Sequence, residues 1–149
     1  MSPSHPRETL SRILWPFLGL LSLEFVLGMT LNLFGPLPSG TGLQLLVAAP
    51  VLAAHVLIGV LILGIASRAL WLAYRTQDPR LEAAGAASWV FGLVAFVSGM
   101  AFVFGGQSAG ASYAMATGFL GQLIAVAVLL RMTSESAGRV LSLSSEATP

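Results

Sequence analysis

From Ala83 to Leu130 the chain reads AAGAASWVFGLVAFVSGMAFVF, then GGQS, then AGASYAMATGFLGQLIAVAVLL, without one charged residue. Each of the long halves exceeds the ~18 to 20 apolar residues that span a bilayer core. The intervening Gly105-Gly106-Gln107-Ser108 is a helix-breaking loop. The stretch therefore predicts two membrane helices joined by a short link. The same pattern holds toward the N-terminus. Between Arg12 and Arg68 the only charged residue is Glu24, and Gly35-Pro36-Leu37-Pro38 divides that stretch, because two prolines bar a continuous helix.

The expectation is an all-α, integral membrane four-helix bundle, up-down-up-down, with helices at about 11–34, 48–74, 81–104 and 112–132. Residues 1–132 form this single transmembrane domain. Residues 133–149 are polar and Ser-rich and read as a disordered cytoplasmic tail, with a short helical turn around Arg139 to Leu143. The first apolar run follows Arg7 and Arg12 as a signal peptide would. It is too long for a signal h-region and contains Glu24, so it reads as a retained helix.

Composition agrees. Hydrophobic residues make up 56% and charged residues 9% of the chain, against roughly a quarter charged in soluble domains, which excludes a soluble globule. There is no basic patch for nucleic acid. The absence of Cys excludes disulfides, thiolate metal sites and cysteine nucleophiles. All seven basic residues are Arg, which with the excess of Ala, Gly, Leu and Val reads as a high-GC bacterial genome and points to a bacterial plasma membrane. No Ser–His–Asp set, phosphate-cradling loop or carboxylate dyad can be drawn.

Charge also predicts orientation. Arg7, Arg12, Arg68, Arg75, Arg80, Arg131 and Arg139 all fall at one end of the predicted bundle, while the two links at the other end are uncharged. The positive-inside rule makes the Arg end cytoplasmic, along with both termini. Trp15, Trp71, Tyr74 and Trp89 lie near that end, where an aromatic belt sits.

Helix packing is read from small residues. Gly85, Ser88, Gly92, Ala95 and Gly99 recur at three- and four-residue steps in the third span, and Gly110, Ala114, Gly118, Gly121 and Ala125 in the fourth. Lipid gives helices no hydrophobic reason to associate, so close backbone approach through such seams holds them together. The seams are expected to pack helices within the bundle, or to serve a homo-oligomer or a partner membrane subunit. Gln122 is expected to make an interhelical hydrogen bond.

Chemistry narrows to two ionisable residues. Glu24 lies twelve residues past Arg12, about 18 Å of helix, and His55 thirteen residues before Arg68, about 20 Å. On neighbouring antiparallel helices they reach nearly equal depth near the bilayer midplane. Such groups cost several kcal/mol unless paired and are functional-site candidates. Three readings stay open: a proton-handling pair, a ligating His55 oriented by Glu24, or a buried bond that fixes register. Gly28, Asn32 and Gly59 share faces with the pair. A glycine one turn from a ligand leaves room for a porphyrin, and equally lets helices touch. Met115 is a candidate axial ligand, although methionine is more often gap-filling core. The other histidine, His5, lies in the polar N-terminal stretch.

EFVLGMTLNLF from Glu24, AHVLIG from Ala54 and SYAMA from Ser112 resemble a group of uncharacterised four-helix membrane proteins of actinobacteria. That resemblance implies the fold and no activity. A more distant resemblance, carried by His55 and by Gly106-Gln107-Ser108, is to one four-helix half of the heme A synthase family, in which each half binds haem between two histidines. It implies haem ligation by His55. The chain departs from that pattern at Ala114-Met115-Ala116-Thr117, where no second His stands, and at Leu52, where the family has Glu.

The expected function is a haem- or quinone-associated membrane protein using His55 with Glu24. The alternatives are an accessory subunit of a larger membrane complex and a small proton-coupled transporter.

Overall fold

In the computed structural model, residues 6–34 and 38–146 are described, with side chains for all of them except Asn32, Phe34 and residues 135–146. His5 and the side chain of Asn32 thus lie outside what is described. Every element is a helix: α1 Pro6–Phe34, α2 Gly42–Ala48, α3 Pro50–Arg75, α4 Pro79–Phe104 and α5 Ala109–Glu146. Four of them are long and apolar enough to cross a membrane, with mean hydropathies of 1.7, 2.2, 2.0 and 1.9. These are the four predicted spans.

Their boundaries have local causes. Prolines open α1, α3 and α4, where a missing N–H costs nothing and φ is preset. Asp78 caps α4 by accepting from Arg80 N at 3.0 Å, and Ser108 receives Ala111 N at 3.2 Å at the start of α5. Gln77 and Gln107 take left-handed φ values of 55° and 63° in the two turns, a conformation polar turn residues tolerate better than β-branched ones.

Two departures from expectation stand out. The link after α1 contains α2, which buries Leu45 against Leu52 and Val103. It stops at Ala49, with φ −126° and ψ 81°, because the residue before Pro50 is driven out of the α region. Gly42 opens α2 at φ 61°, and a Cβ there would stand 3.1 Å from the Phe104 ring, so this position needs glycine twice over. At the other end, α5 does not stop at Met132 but continues to Glu146. No proline interrupts residues 109–146, and residues 133–146 are helical where disorder was expected.

The helices form a ring. α1 packs on α3 and α5, α3 on α4, and α4 on α5, which is the most extensive contact. The main core joins Leu10, Leu14, Phe17 and Leu21 of α1 to Ile62, Ala66 and Ala69 of α3, Leu81 of α4, and Val126 and Leu129 of α5. A smaller cluster around Leu45, Leu52 and Val103 closes the opposite end. Glu24 follows Leu21 by one turn and His55 follows Leu52 by one turn, so the polar pair sits where the two clusters meet.

Candidate functional site

Glu24 and His55 do come together. Nδ1 of His55 stands 3.0 Å from Oε1 of Glu24. That is ion-pair distance, but without the alignment of a straight hydrogen bond, and the buried Oε2 of Glu24 has no hydrogen-bond partner either. The carboxylate retains 7% of its surface and the imidazole 15%, so His55 is the more accessible member of the pair. A charge at this depth is costly alone. A carboxylate beside an imidazole offsets much of that cost, and removing one partner strands the other.

The glycines explain how two polar side chains fit between α1 and α3. A Cβ on Gly28 would lie 3.3 Å from Cε1 of His55, and a Cβ on Gly59 would lie 3.5 Å from Oε1 of Glu24. Each polar residue thus rests on the glycine one turn from the other. The sequence showed the four residues at matching intervals; which way the glycine notches faced depended on helix rotation. They hold the pair itself. A porphyrin plane needs the same space, so the described residues do not fit a haem inside one protomer. Among them there is also no group of three or more His, Cys, Asp or Glu suited to a metal ion.

Met115 lies in a different interface. Its Sδ would be 3.2 Å from a Cβ on Gly99, in the α4–α5 seam, whereas His55 rests on α1. The other packing residues divide between two neighbours. Gly85 faces α3, 3.1 Å from Ala73 Cβ, while Gly92 and Gly99 face α5. Gly118 abuts the backbone of Ala95 and Phe91, and Gly121 lies under the Phe91 ring.

Gln122 fills the notch at Gly92, where its Nε2 would be 2.5 Å from a Cβ. Instead of the expected interhelical bond, that Nε2 is buried without a partner, as is the Oγ of Ser88 one turn away on α4. An interhelical bond that was not foreseen forms between α4 and α3, where Trp89 Nε1 donates to Ser67 Oγ at 3.0 Å. Gln107 likewise has a role beyond its turn, donating to the carbonyls of Pro38 and Gly40 at 3.3 and 3.4 Å.

These features define a helical, multi-pass membrane protein with one closely paired carboxylate and histidine inside its spans. Comparison with protein families, with curated proteins and with solved structures gives no match.

Proposed function

We propose that this is a multi-pass protein of a bacterial plasma membrane whose working centre is the Glu24–His55 pair, and that the pair serves a lipid-soluble ligand of the quinone class. The observation that carries the reading is the 3.0 Å approach of Nδ1 to Oε1 at mid-span, with the imidazole the more accessible partner. A carboxylate on one ring nitrogen orients the ring and leaves the other nitrogen for a ligand. A neutral imidazole accepts a hydrogen bond from a quinol hydroxyl there, and an imidazolium donates one to a quinone carbonyl. The haem half of the sequence reading asks for space that the pair itself fills, so the quinone half is retained.

The topology proposed is up-down-up-down with the Arg-bearing ends cytoplasmic. The Arg7–Asp78 ion pair at 2.6 Å supports it by tying the start of α1 to the α3–α4 turn. The Gln107 bonds support it by tying the α4–α5 loop to the link after α1.

The test is quinone retention. Protein purified in mild detergent from membranes containing quinone should carry it well above the lipid background, and His55→Ala should lose it. Glu24→Gln should lose most of it. Quinone at background level in a folded wild-type protein would overturn the reading, and a Soret band lost in His55→Ala would restore haem in its place.

A second reading has its own observation. The reciprocal seating of the pair on Gly28 and Gly59 is also how an accessory subunit or homo-oligomer would lock α1 to α3. That reading predicts that both substitutions lower stability and leave any bound quinone at background throughout.

A further inference from the structure

Three glycines in the spans, Gly19, Gly64 and Gly110, have open space where a Cβ would stand, unlike the packing glycines, and of the three Gly64 lines a groove. At Gly59, Gly85, Gly92, Gly99, Gly118 and Gly121 an atom of another helix lies within 4 Å of where a Cβ would stand, whereas at Gly64 there is nothing within 4 Å. Gly64 is exposed, so no helix of this protomer explains why it lacks a side chain. It floors a groove of about 420 Å³ between α1 and α3, walled by Ile13, Pro16, Phe17, Val60, Leu61 and Ile65, with Arg68 at one end. From Arg68 to Val60 is eight residues, about 12 Å along the helix. The walls are apolar along that length, and the single charge stands at the mouth.

That charge is unmatched. Among the described residues the Arg ion pairs are Arg7 with Asp78 and Arg12 with Glu8. Arg68 instead lies over Trp71, 5.7 Å from the ring centroid, and Arg75 flanks the same ring at 5.0 Å. A guanidinium beside an indole is how a helix meets the headgroup layer: the long side chain reaches out of the hydrocarbon and the aromatic ring anchors the depth. An apolar channel leading inward from it has the dimensions and polarity of an acyl chain.

We infer that the α1–α3 groove is a binding site for one anionic phospholipid, with its phosphate on Arg68 and an acyl chain lying over Gly64. The occupant follows from charge complementarity at the mouth and from walls that offer nothing polar to any other ligand. A guanidinium forms two parallel hydrogen bonds to phosphate oxygens, and the net negative charge of the lipid balances the cation that the protein leaves unpaired. The site is separate from the Glu24–His55 pair, which does not line the groove.

Native mass spectrometry of the full chain, released from micelles holding equal amounts of phosphatidylglycerol and phosphatidylcholine, tests this. The wild type should retain one phosphatidylglycerol per protomer, at least tenfold over phosphatidylcholine. Arg68→Gln should lose that preference about tenfold by removing the charge. Gly64→Leu should expel the lipid by filling the channel while leaving Arg68 in place. Arg75→Gln, which does not line the groove, should behave as wild type. Equal retention of the two lipids by the wild type would overturn the assignment. So would undiminished phosphatidylglycerol in both Arg68→Gln and Gly64→Leu, with circular dichroism showing each variant folded.

Discussion

Gly118→Ala is the sharpest test of how the bundle is held together. A Cβ at Gly118 would stand 2.7 Å from Ala95 N, 2.9 Å from Phe91 O and 3.1 Å from Ala95 Cα. All three are backbone atoms of α4, so no side chain can swing aside. Ordinary contact begins near 3.4 Å, and reaching it from 2.7 Å requires α4 and α5 to part by about 0.7 Å. A gap of that size forfeits roughly a quarter to a half of each contact's attraction. Overpacking of this kind costs about 1–3 kcal/mol. Since α4 and α5 share the most extensive interface, the upper half of that range, about 2–3 kcal/mol, is expected. The contrast within the series matters more than the figure. At Gly121 the clashing atoms, Cδ1 at 2.5 Å and Cγ at 2.6 Å, belong to the partly exposed side chain of Phe91 and not to backbone, and a change of rotamer can move them, so Gly121→Ala should cost less than Gly118→Ala. At Gly64 the space is open, so Gly64→Ala should gain about 0.5–1 kcal/mol from the lower helix cost of alanine. Reversible unfolding by SDS in mixed micelles, followed by circular dichroism, orders the three. A neutral Gly118→Ala, or a Gly64→Ala as damaging as Gly118→Ala, would refute the packing argument.

Other outcomes follow from single contacts. Asp78 caps α4 and pairs with Arg7, so Asp78→Ala should lose about 1–2 kcal/mol in the same unfolding assay, the cap supplying about 1 and the partly exposed ion pair less. Ser88 buries its hydroxyl with no partner, so Ser88→Ala should leave stability unchanged or raise it by up to about 1 kcal/mol; a clear loss would contradict that burial. Gln107→Ala removes two long bonds to the Pro38–Gly40 link, and should speed proteolysis of that link while leaving the unfolding midpoint within about 1 kcal/mol of wild type.

Much of this was legible from residue order, for identifiable reasons. Uncharged runs longer than a bilayer's thickness leave little alternative to spans, so the four long helices follow from Ala83–Leu130 and its N-terminal counterpart. The meeting of Glu24 and His55 follows from counting residues back to Arg12 and Arg68, since helical rise is fixed. What the order of residues left open was rotation. Equal spacing of Gly85, Gly92 and Gly99 suggested one seam, yet α4 has a neighbour on each side, and Gly85 turns to α3 while the other two turn to α5. The same ambiguity hid the use of Gly28 and Gly59, which read equally as cofactor space and as notches for the pair. The helix α2 escaped because seven residues in a link, Gln44 among them, are too few to carry a periodic signal of their own. The length of α5 escaped because a polar Ser-rich composition suggests disorder even where no proline stops a helix.

The contact between Glu24 and His55 underlies both the proposed site and the depth argument that led to it. Solid-state NMR on protein in lipid bilayers, with ¹⁵N-histidine and carboxyl-¹³C-glutamate labels, measures it directly. A strong dipolar coupling is expected between Nδ1 of His55 and the Glu24 carboxyl carbon, one bond beyond the 3.0 Å contact, and it should vanish in Glu24→Gln. A folded wild-type protein showing no such coupling would place the two groups apart and contradict the site.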